Sequence, residues 1–300
     1  MSNYHLKLSN NLNLCFMSDN TAESWLQKFS TIMRLKPSES CYNCIKFIFV
    51  KNEIKENNYN IVDDLGLSYK FDLPNSDWKL WYYHPIEFWF HPDISDIICN
   101  IGSEISYNTE IVKMGHIVHL IYMLALNQGG IPLHSALIER HGIGVALAGP
   151  GGIGKSTCSR RIVPPWRSLC DDQILILPDK DGQYIAHPLP TWSDYLIRRQ
   201  ENTWNTQEHV NLNAIFFLKR AEYDKAVPVK QGESVLYINS SVNQIFSRNL
   251  DEMDKDKLLS VNNKLFNNIC QVSKNIPIYT LYFSSTGQFW KEIETALGIV

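Results

Sequence analysis

A mixed α/β fold is predicted, with an N-terminal α/β region over residues 1–105 followed by a phosphate-loop region over residues 106–300. Three observations carry this expectation. Apolar residues recur at helical spacing through Ile111, Met114, Ile117, Val118, Ile121, Leu124 and Ala125. Short β-branched and aromatic runs fill much of the remaining chain. One of these runs, Val145-Ala146-Leu147-Ala148, opens directly into glycines.

In chain order, Ala22 to Leu35 has helical periodicity, and Trp78 to Phe90 alternates like two paired strands around His84-Pro85. Asn52 to Asn60, rich in Lys, Glu and Asn, reads as an exposed connection. The helical stripe of Glu110 to Gln128 closes on Gly129-Gly130-Ile131-Pro132, where a new unit is expected to begin. Leu133 to Glu139 and Ile143 to Ala148 form a hairpin turning at Arg140-His141-Gly142. A helix from Lys155 to about Val163 is stopped by Pro164-Pro165. Ile174 to Leu177, Ala214 to Leu218 and Ile278 to Phe283 are strands, Glu233 to Asn268 is mainly helical, and Gly287 to Leu297 is a terminal helix.

Composition bounds the function. The 300 residues are 44% hydrophobic, enough for a substantial core. With 28 Lys and Arg against 31 Asp and Glu, the formal charge is −3, and no basic stripe points to nucleic acid or to a membrane surface. The start of the chain lacks the pattern of a signal peptide, so a cytoplasmic location is expected. The apolar stretch Ile117–Leu126 is shorter than the roughly 20 residues that a membrane span needs. Seven scattered cysteines suggest reduced thiols, and the Cys41/Cys44 pair lacks a second pair at zinc-site spacing. His116 and His119 share a helix face without a third ligand and read as structural.

The chemistry concentrates at Gly149-Pro150-Gly151-Gly152-Ile153-Gly154-Lys155-Ser156, which satisfies G-x-x-x-x-G-K-[ST] between a strand and a helix. Such glycines turn backbone N–H groups toward one point, and the helix start adds a favourable dipole, so the loop is suited to phosphate. Lys155 would reach the β- and γ-phosphates of ATP, Ser156 would ligate Mg²⁺, and Gly149, Gly151, Gly152, Ile153, Gly154 and Thr157 would complete the nucleotide site.

Two acidic clusters follow. Asp179, after Ile174–Leu177, stands roughly where a P-loop NTPase keeps its Mg²⁺ carboxylate, but Pro178 and the Asp179-Lys180-Asp181-Gly182 run favour a hairpin tip. Asp171-Asp172 precedes that strand, and adjacent carboxylates suit two tasks: holding Mg²⁺ and accepting a hydroxyl proton.

Leu133-His134, the loop, Leu169-Cys170-Asp171-Asp172 and Ala214-Ile215-Phe216-Phe217-Leu218 together resemble the HPr kinase/phosphorylase superfamily, over roughly residues 130–285. The resemblance implies a phosphoenolpyruvate carboxykinase-like P-loop core. It also implies catalytic roles for Asp171 as proton acceptor, Lys155, and His134 as electrostatic support, with Ser156 and Asp172 on Mg²⁺; the two aspartates are exchangeable at this level. Thr157 stands where bifunctional members carry an acidic residue, and the glycine-rich substrate loop is missing, so phosphorylase activity and HPr as substrate are not expected. The chain looks more similar to HPr kinase-like proteins of peptide-modifying clusters, including the SynChlorMet cassette C-type family and lasso-peptide kinases.

That resemblance implies phosphorylation of a Ser hydroxyl in a peptide or protein, with a homo-oligomer left open. In the region of Ala186 to Asp194, where relatives place a substrate-side loop, Trp192 and Arg198 or Arg199 are candidates for holding acceptor or triphosphate. The alternatives are a small-molecule hydroxyl kinase, for example one acting on free serine, and a nucleotide-gated binding protein without phosphotransfer.

Overall fold

The computed structural model describes residues 3–9, 12–38, 42–53, 61–103, 106–198, 204–247 and 254–299. The chain is mixed α/β, with two mixed sheets in two compact units. One unit comprises residues 1–120 with 192–201, and the other residues 121–191 with 202–300. The expected division after residue 105 falls inside the first unit, because the helix that follows it still belongs there as far as Leu120.

The first unit contains β1 (Tyr4–Ser9), β2 (Leu12–Ser18), α1 (Glu23–Met33), β3 (Lys36–Pro37), β4 (Ile45–Val50), the short helix α2 (Ile61–Asp64), β5 (Lys79–Tyr83), β6 (Ile86–Phe90) and β7 (Ile97–Asn100). Its sheet runs β3-β1-β2-β4-β7-β6-β5. The strands β2, β4 and β7 are parallel neighbours, and β5, β6 and β7 form an antiparallel meander. Proline is tolerated in β3 because that strand is the sheet edge. The helix α1 buries Trp25, Leu26 and Phe29, and Phe29 lies 5.6 Å, centroid to centroid, from both Phe16 and Trp25. Cys15, Ile48, Ile98 and Trp89 build a second cluster with Ile61 and Val62 of α2. The Asn52–Asn60 connection lies mostly outside the described residues.

The helix α3 (Tyr107–Leu126) is 20 residues long, twice the apolar stretch seen in the sequence. Its mean hydropathy of 1.3 is high enough for a span, and 61% of that window is buried inside the fold, as in a core helix. On the first-unit part, the His116 ring packs edge-on against Tyr83 at 4.2 Å, and its Nδ1 is buried without a hydrogen-bond partner. Burial, then the positive potential of His119 and His84, pushes the His116 imidazole down to about 3. Because the folded value lies below the unfolded one, this group's stability contribution is complete above pH 6.5 and is lost as pH falls toward 3. The slope is at most about 1.4 kcal/mol per pH unit. Urea midpoints are therefore expected to fall between pH 7 and pH 5, and His116→Phe should flatten that dependence; an unchanged slope in the variant would assign it elsewhere.

One expectation about the cysteines is corrected. Cys15 is disulfide-bonded, whereas Cys44, Cys99, Cys158, Cys170 and Cys270 are free. A single bridge leaves no spacing pattern for the sequence to display.

The second unit continues with β8 (Ile131–Leu133), β9 (Ser135–Arg140), β10 (Ile143–Ala148), α4 (Lys155–Arg161), β11 (Arg167–Cys170), β12 (Gln173–Pro178), β13 (Tyr184–Leu189), β14 (Val210–Arg220), β15 (Lys225–Pro228), α5 (Gln231–Phe246), α6 (Lys255–Asn275), β16 (Ile278–Phe283) and α7 (Phe289–Leu297). The sheet path is β11-β9-β10-β14-β13-β12-β8, and β16 pairs with both β14 and β15. The hairpin β9–β10 and the parallel pairs β10–β14 and β14–β16 bring strand ends together at Ala148, Leu218 and Leu281. Val145 and Leu147 of β10, Phe216 and Leu218 of β14 and Leu281 and Phe283 of β16 bury one face of the sheet with Cys158 of α4 and Phe289 of α7. Removing each large side chain from water contributes about 1.5–3 kcal/mol. That packing anchors the strand before the glycines and the helix after them.

Asp179 to Gly182 is the β12–β13 turn, with the Asp179 amide donating to the Gln183 carbonyl at 2.7 Å, as the hairpin-tip reading expected. The expected loop from Ala186 is corrected: Tyr184–Leu189 is a buried strand paired along its length with β12. Pro188 is accommodated because β14 pairs only with Ile185 and Ala186, leaving one side of β13 without a ladder partner there.

Candidate active site

The loop between β10 and α4 takes its shape from three glycines. Gly149 has φ +149°, Gly152 φ +74° and Gly154 φ +123°, and a Cβ on Gly154 would meet Phe283 Cζ at 3.1 Å. Gly151 and Gly152 are exposed, with open space where a Cβ would lie, so one side of the loop is accessible to a ligand. From outside, Arg220 at the end of β14 grips the loop: its Nε donates to the Ile153 carbonyl at 3.0 Å and its Nη2 to the Gly152 carbonyl at 2.8 Å. Arg161 ties α4 to the carbonyls of Ser284 and Gly287 at 2.9 and 2.6 Å.

Lys155 is 6% exposed, and its Nζ donates to the carbonyls of Gly149 at 3.0 Å and Pro150 at 3.3 Å. Burial lowers its ammonium from 10.5 to about 8, and the attraction of Asp172 and then Asp171 opposes that shift. The loop lysine and both aspartates therefore share one electrostatic field. Ser156, half-buried, and Thr157, exposed, occupy the first turn of α4.

Asp171 and Asp172 follow β11, and their side chains have different partners. Asp171, 5% exposed, accepts from Thr191 Oγ1 at 2.6 Å and lies 3.4 Å from Arg160 Nη2. Thr191 Oγ1 in turn accepts from Trp204 Nε1 at 3.0 Å, so the buried carboxylate is held by a two-step relay. Asp172 is the more accessible, its side chain 24% exposed, and its Oδ1 faces His134 Nε2 at 3.1 Å.

His134 sits between β8 and β9, and its Nδ1 faces Gln244 Oε1 on α5 at 2.8 Å. The two ring nitrogens each face a side-chain oxygen, so the imidazole is held from both sides. Gln244 Nε2 donates to the Ser240 carbonyl at 3.3 Å, consistent with its amide oxygen facing the histidine. Ser241 Oγ donates to the His134 carbonyl at 3.1 Å. Close by, the Tyr122 hydroxyl donates to Gln173 Oε1 at 2.8 Å, and burial, reinforced by Asp172, pushes that phenol well above its ordinary range.

The structure thus gathers His134, Lys155, Asp171 and Asp172 in the second unit with the loop residues Gly149 to Thr157. Trp192 belongs to the first unit, where it is buried with its ring 6.1 Å from that of Tyr195. The Arg198 side chain and Arg199 lie outside the described residues. Sequence reasoning missed Thr191, Trp204, Gln244, Arg160 and Arg220. Gln244 is 110 positions from its histidine, and a single amide on an amphipathic helix carries no motif. Arg220 could have been sought as the basic residue closing the strand parallel to the loop strand.

Among the described residues no group of three or more His, Cys, Asp or Glu could hold a metal. Mg²⁺ does not need one, since it commonly takes one or two protein oxygens and completes its shell with phosphate oxygens and water. The oxygen donors of Ser156 and Asp172 fit that demand, and the open glycines with Lys155 fit a polyphosphate.

No curated protein matches the chain. Residues 97–298, about two thirds of the sequence and inclusive of every side chain placed at this site, match the family described as SynChlorMet cassette protein ScmC. The chain therefore belongs to the SynChlorMet cassette protein ScmC family.

Proposed function

We propose that the chain is an ATP- and Mg²⁺-dependent kinase of HPr kinase-like, phosphoenolpyruvate carboxykinase-like type, acting in the cytoplasm on a Ser hydroxyl of a peptide or protein. One observation carries the reading: His134 and Asp172, 38 positions apart, meet at 3.1 Å in the unit whose phosphate-loop lysine feels both aspartates. A phosphate loop with its lysine and two nearby carboxylates can supply what phosphoryl transfer to a hydroxyl needs: phosphate binding, a Mg²⁺ ligand and a general base.

In this reading the loop amides and Lys155 orient the β- and γ-phosphates. Mg²⁺, held by Ser156 and Asp172, would supply positive charge to the phosphate oxygens. Asp171, fixed by Thr191 and Arg160, accepts the proton of the acceptor hydroxyl. The acceptor oxygen forms its bond to the γ-phosphorus as the bond to the β–γ bridging oxygen breaks, and ADP leaves with that electron pair. His134, held by Gln244, keeps Asp172 in place. Most of the acceleration comes from positioning and charge.

Titration calorimetry with ATP and Mg²⁺, followed by mass spectrometry of Ser peptides incubated with both, tests the proposal. Saturable binding and phosphoserine are expected. Arg220→Ala, which frees the Gly152 and Ile153 carbonyls, should weaken ATP about tenfold, the equivalent of one charge-assisted hydrogen bond of about 1.4 kcal/mol. Absence of ATP binding would refute the kinase.

A further inference from the structure

The second unit contains a cavity of about 250 Å³ between α5 and the ends of β10, β14 and β16, lined by Gly149, Pro150, Phe217, Lys219, Tyr237 and Gln244 among others. Two walls connect it to the reacting end of the site. Gly149 and Pro150 are the residues whose carbonyls receive the Lys155 ammonium, and that lysine is the group that reaches the β- and γ-phosphates in a loop of this type. Gln244 holds His134, which faces Asp172. Ser156, Thr157 and Asp171 do not line it, so the cavity borders the start of the loop at Gly149 and Pro150 and lies away from the first turn of α4.

Its lining also has a charge preference. Phe217 and Tyr237 pack ring to ring at 5.2 Å, and Tyr237 is fixed by its hydroxyl donating to Glu233 at 2.6 Å. The remaining polar walls are uncharged Ser, Thr and Gln side chains, with Lys219 the only ion among the lining residues. Lys219 is exposed, lies 5.3 Å from the Tyr282 ring centroid, and makes no ion pair among the described residues. The volume suits a hydroxyl-bearing side chain with its immediate neighbours, at the small end of ligand pockets.

We infer that this cavity is the acceptor site, and that it selects a hydroxyl carried next to an anionic group, with Lys219 pairing the anion. The inference rests on the kinase reading above and specifies its substrate. Free serine, with its own carboxylate, and a Ser residue beside an acidic residue share this chemistry. In either case the bound acceptor would extend its hydroxyl out of the cavity past Gly149 and Pro150, where the proton goes to Asp171 and the oxygen takes the γ-phosphoryl group from ATP, releasing ADP.

Full-length wild type, Ser240→Trp, which projects an indole from the exposed α5 position into the cavity, and Lys219→Glu are compared in two assays. The first is the acceptor KM for free L-serine, a Ser-Asp-containing peptide and its Ser-Asn counterpart. The second is the affinity for a fluorescent N-methylanthraniloyl ADP with Mg²⁺. Acceptor KM is expected to rise at least tenfold in Ser240→Trp. In Lys219→Glu it should rise tenfold for the anionic acceptors and less than threefold for the Ser-Asn peptide, and nucleotide affinity should stay within twofold throughout. Preference of wild type for serine over the Ser-Asp peptide, or the reverse, identifies the source of the hydroxyl. Loss of nucleotide affinity with acceptor KM unchanged would make this a nucleoside cavity, and wild-type preference for the Ser-Asn peptide would remove the anion; both overturn the inference with the kinase intact. Wild type that binds nucleotide but phosphorylates none of the three overturns the kinase reading and the inference with it.

Discussion

Lys155→Met is expected to abolish phosphoryl transfer and, in the same molecule, to raise the melting temperature. The ammonium is nearly excluded from water, and its lowering from 10.5 to about 8 shows that the folded state disfavours its charge despite two nearby aspartates. At about 1.4 kcal/mol per tenfold change in proton affinity, this disfavour amounts to at most ~3 kcal/mol. The sign follows from linkage: the penalty is complete below pH 8 and disappears as pH rises toward 10.5, where the unfolded chain also releases its proton. Methionine has a comparable apolar stem and no charge, although it gives up the contacts with the Gly149 and Pro150 carbonyls. A net gain of ~1 kcal/mol corresponds to a few degrees for a domain of this size, together with a loss of transfer of about 10³-fold. Calorimetric melting of both proteins at pH 7 is the check; a lower melting temperature in the variant would mean that Lys155 stabilises the loop by more than its burial costs.

Asp171→Asn and Asp172→Asn should both reduce kcat by about 10²–10⁴-fold, the range for losing a general base or a charge at the reacting centre, yet differ in a second property. Asp172 is the more accessible carboxylate and shares its charge with His134, whereas Asp171 is committed to Thr191 and Arg160. The Mg²⁺ concentration at half-maximal ADP binding should therefore rise about tenfold in Asp172→Asn and stay unchanged in Asp171→Asn. The reverse pattern, read by fluorescence titration, would exchange their roles.

Much of this arrangement was legible in the chain. The strand, glycines, lysine and helix of the phosphate loop are contiguous, so their geometry follows from local rules, and the hairpin leading into them closes as its turn residues predict. The helix stripes of α1 and α3 and the paired aromatic strands β5 and β6 were equally visible, because burial on one face imposes a period. The two aspartates were singled out by their adjacency and His134 through resemblance, whereas their partners were not. Thr191 reaches Asp171 only because β13 ends beside β11 in space, and Gln244 reaches His134 only because α5 packs on β8. Neither contact has a sequence period. The buried strand at Ala186 to Leu189 was mistaken for a loop because Pro188 within it and Pro190 just after it outweighed the alternation of its neighbours, and tertiary pairing with β12 prevailed over that local signal.

The chain as a phosphotransferase is tested most directly by following γ-labelled ATP with Mg²⁺ and the acceptor panel, for wild type beside Lys155→Met and Asp171→Asn. Label on the acceptor oxygen in the wild type, lost in both variants, is the expected result. ATP that is bound tightly and recovered with its γ-phosphate intact, whatever acceptor is present, would contradict the kinase and leave a nucleotide-gated binding protein in its place.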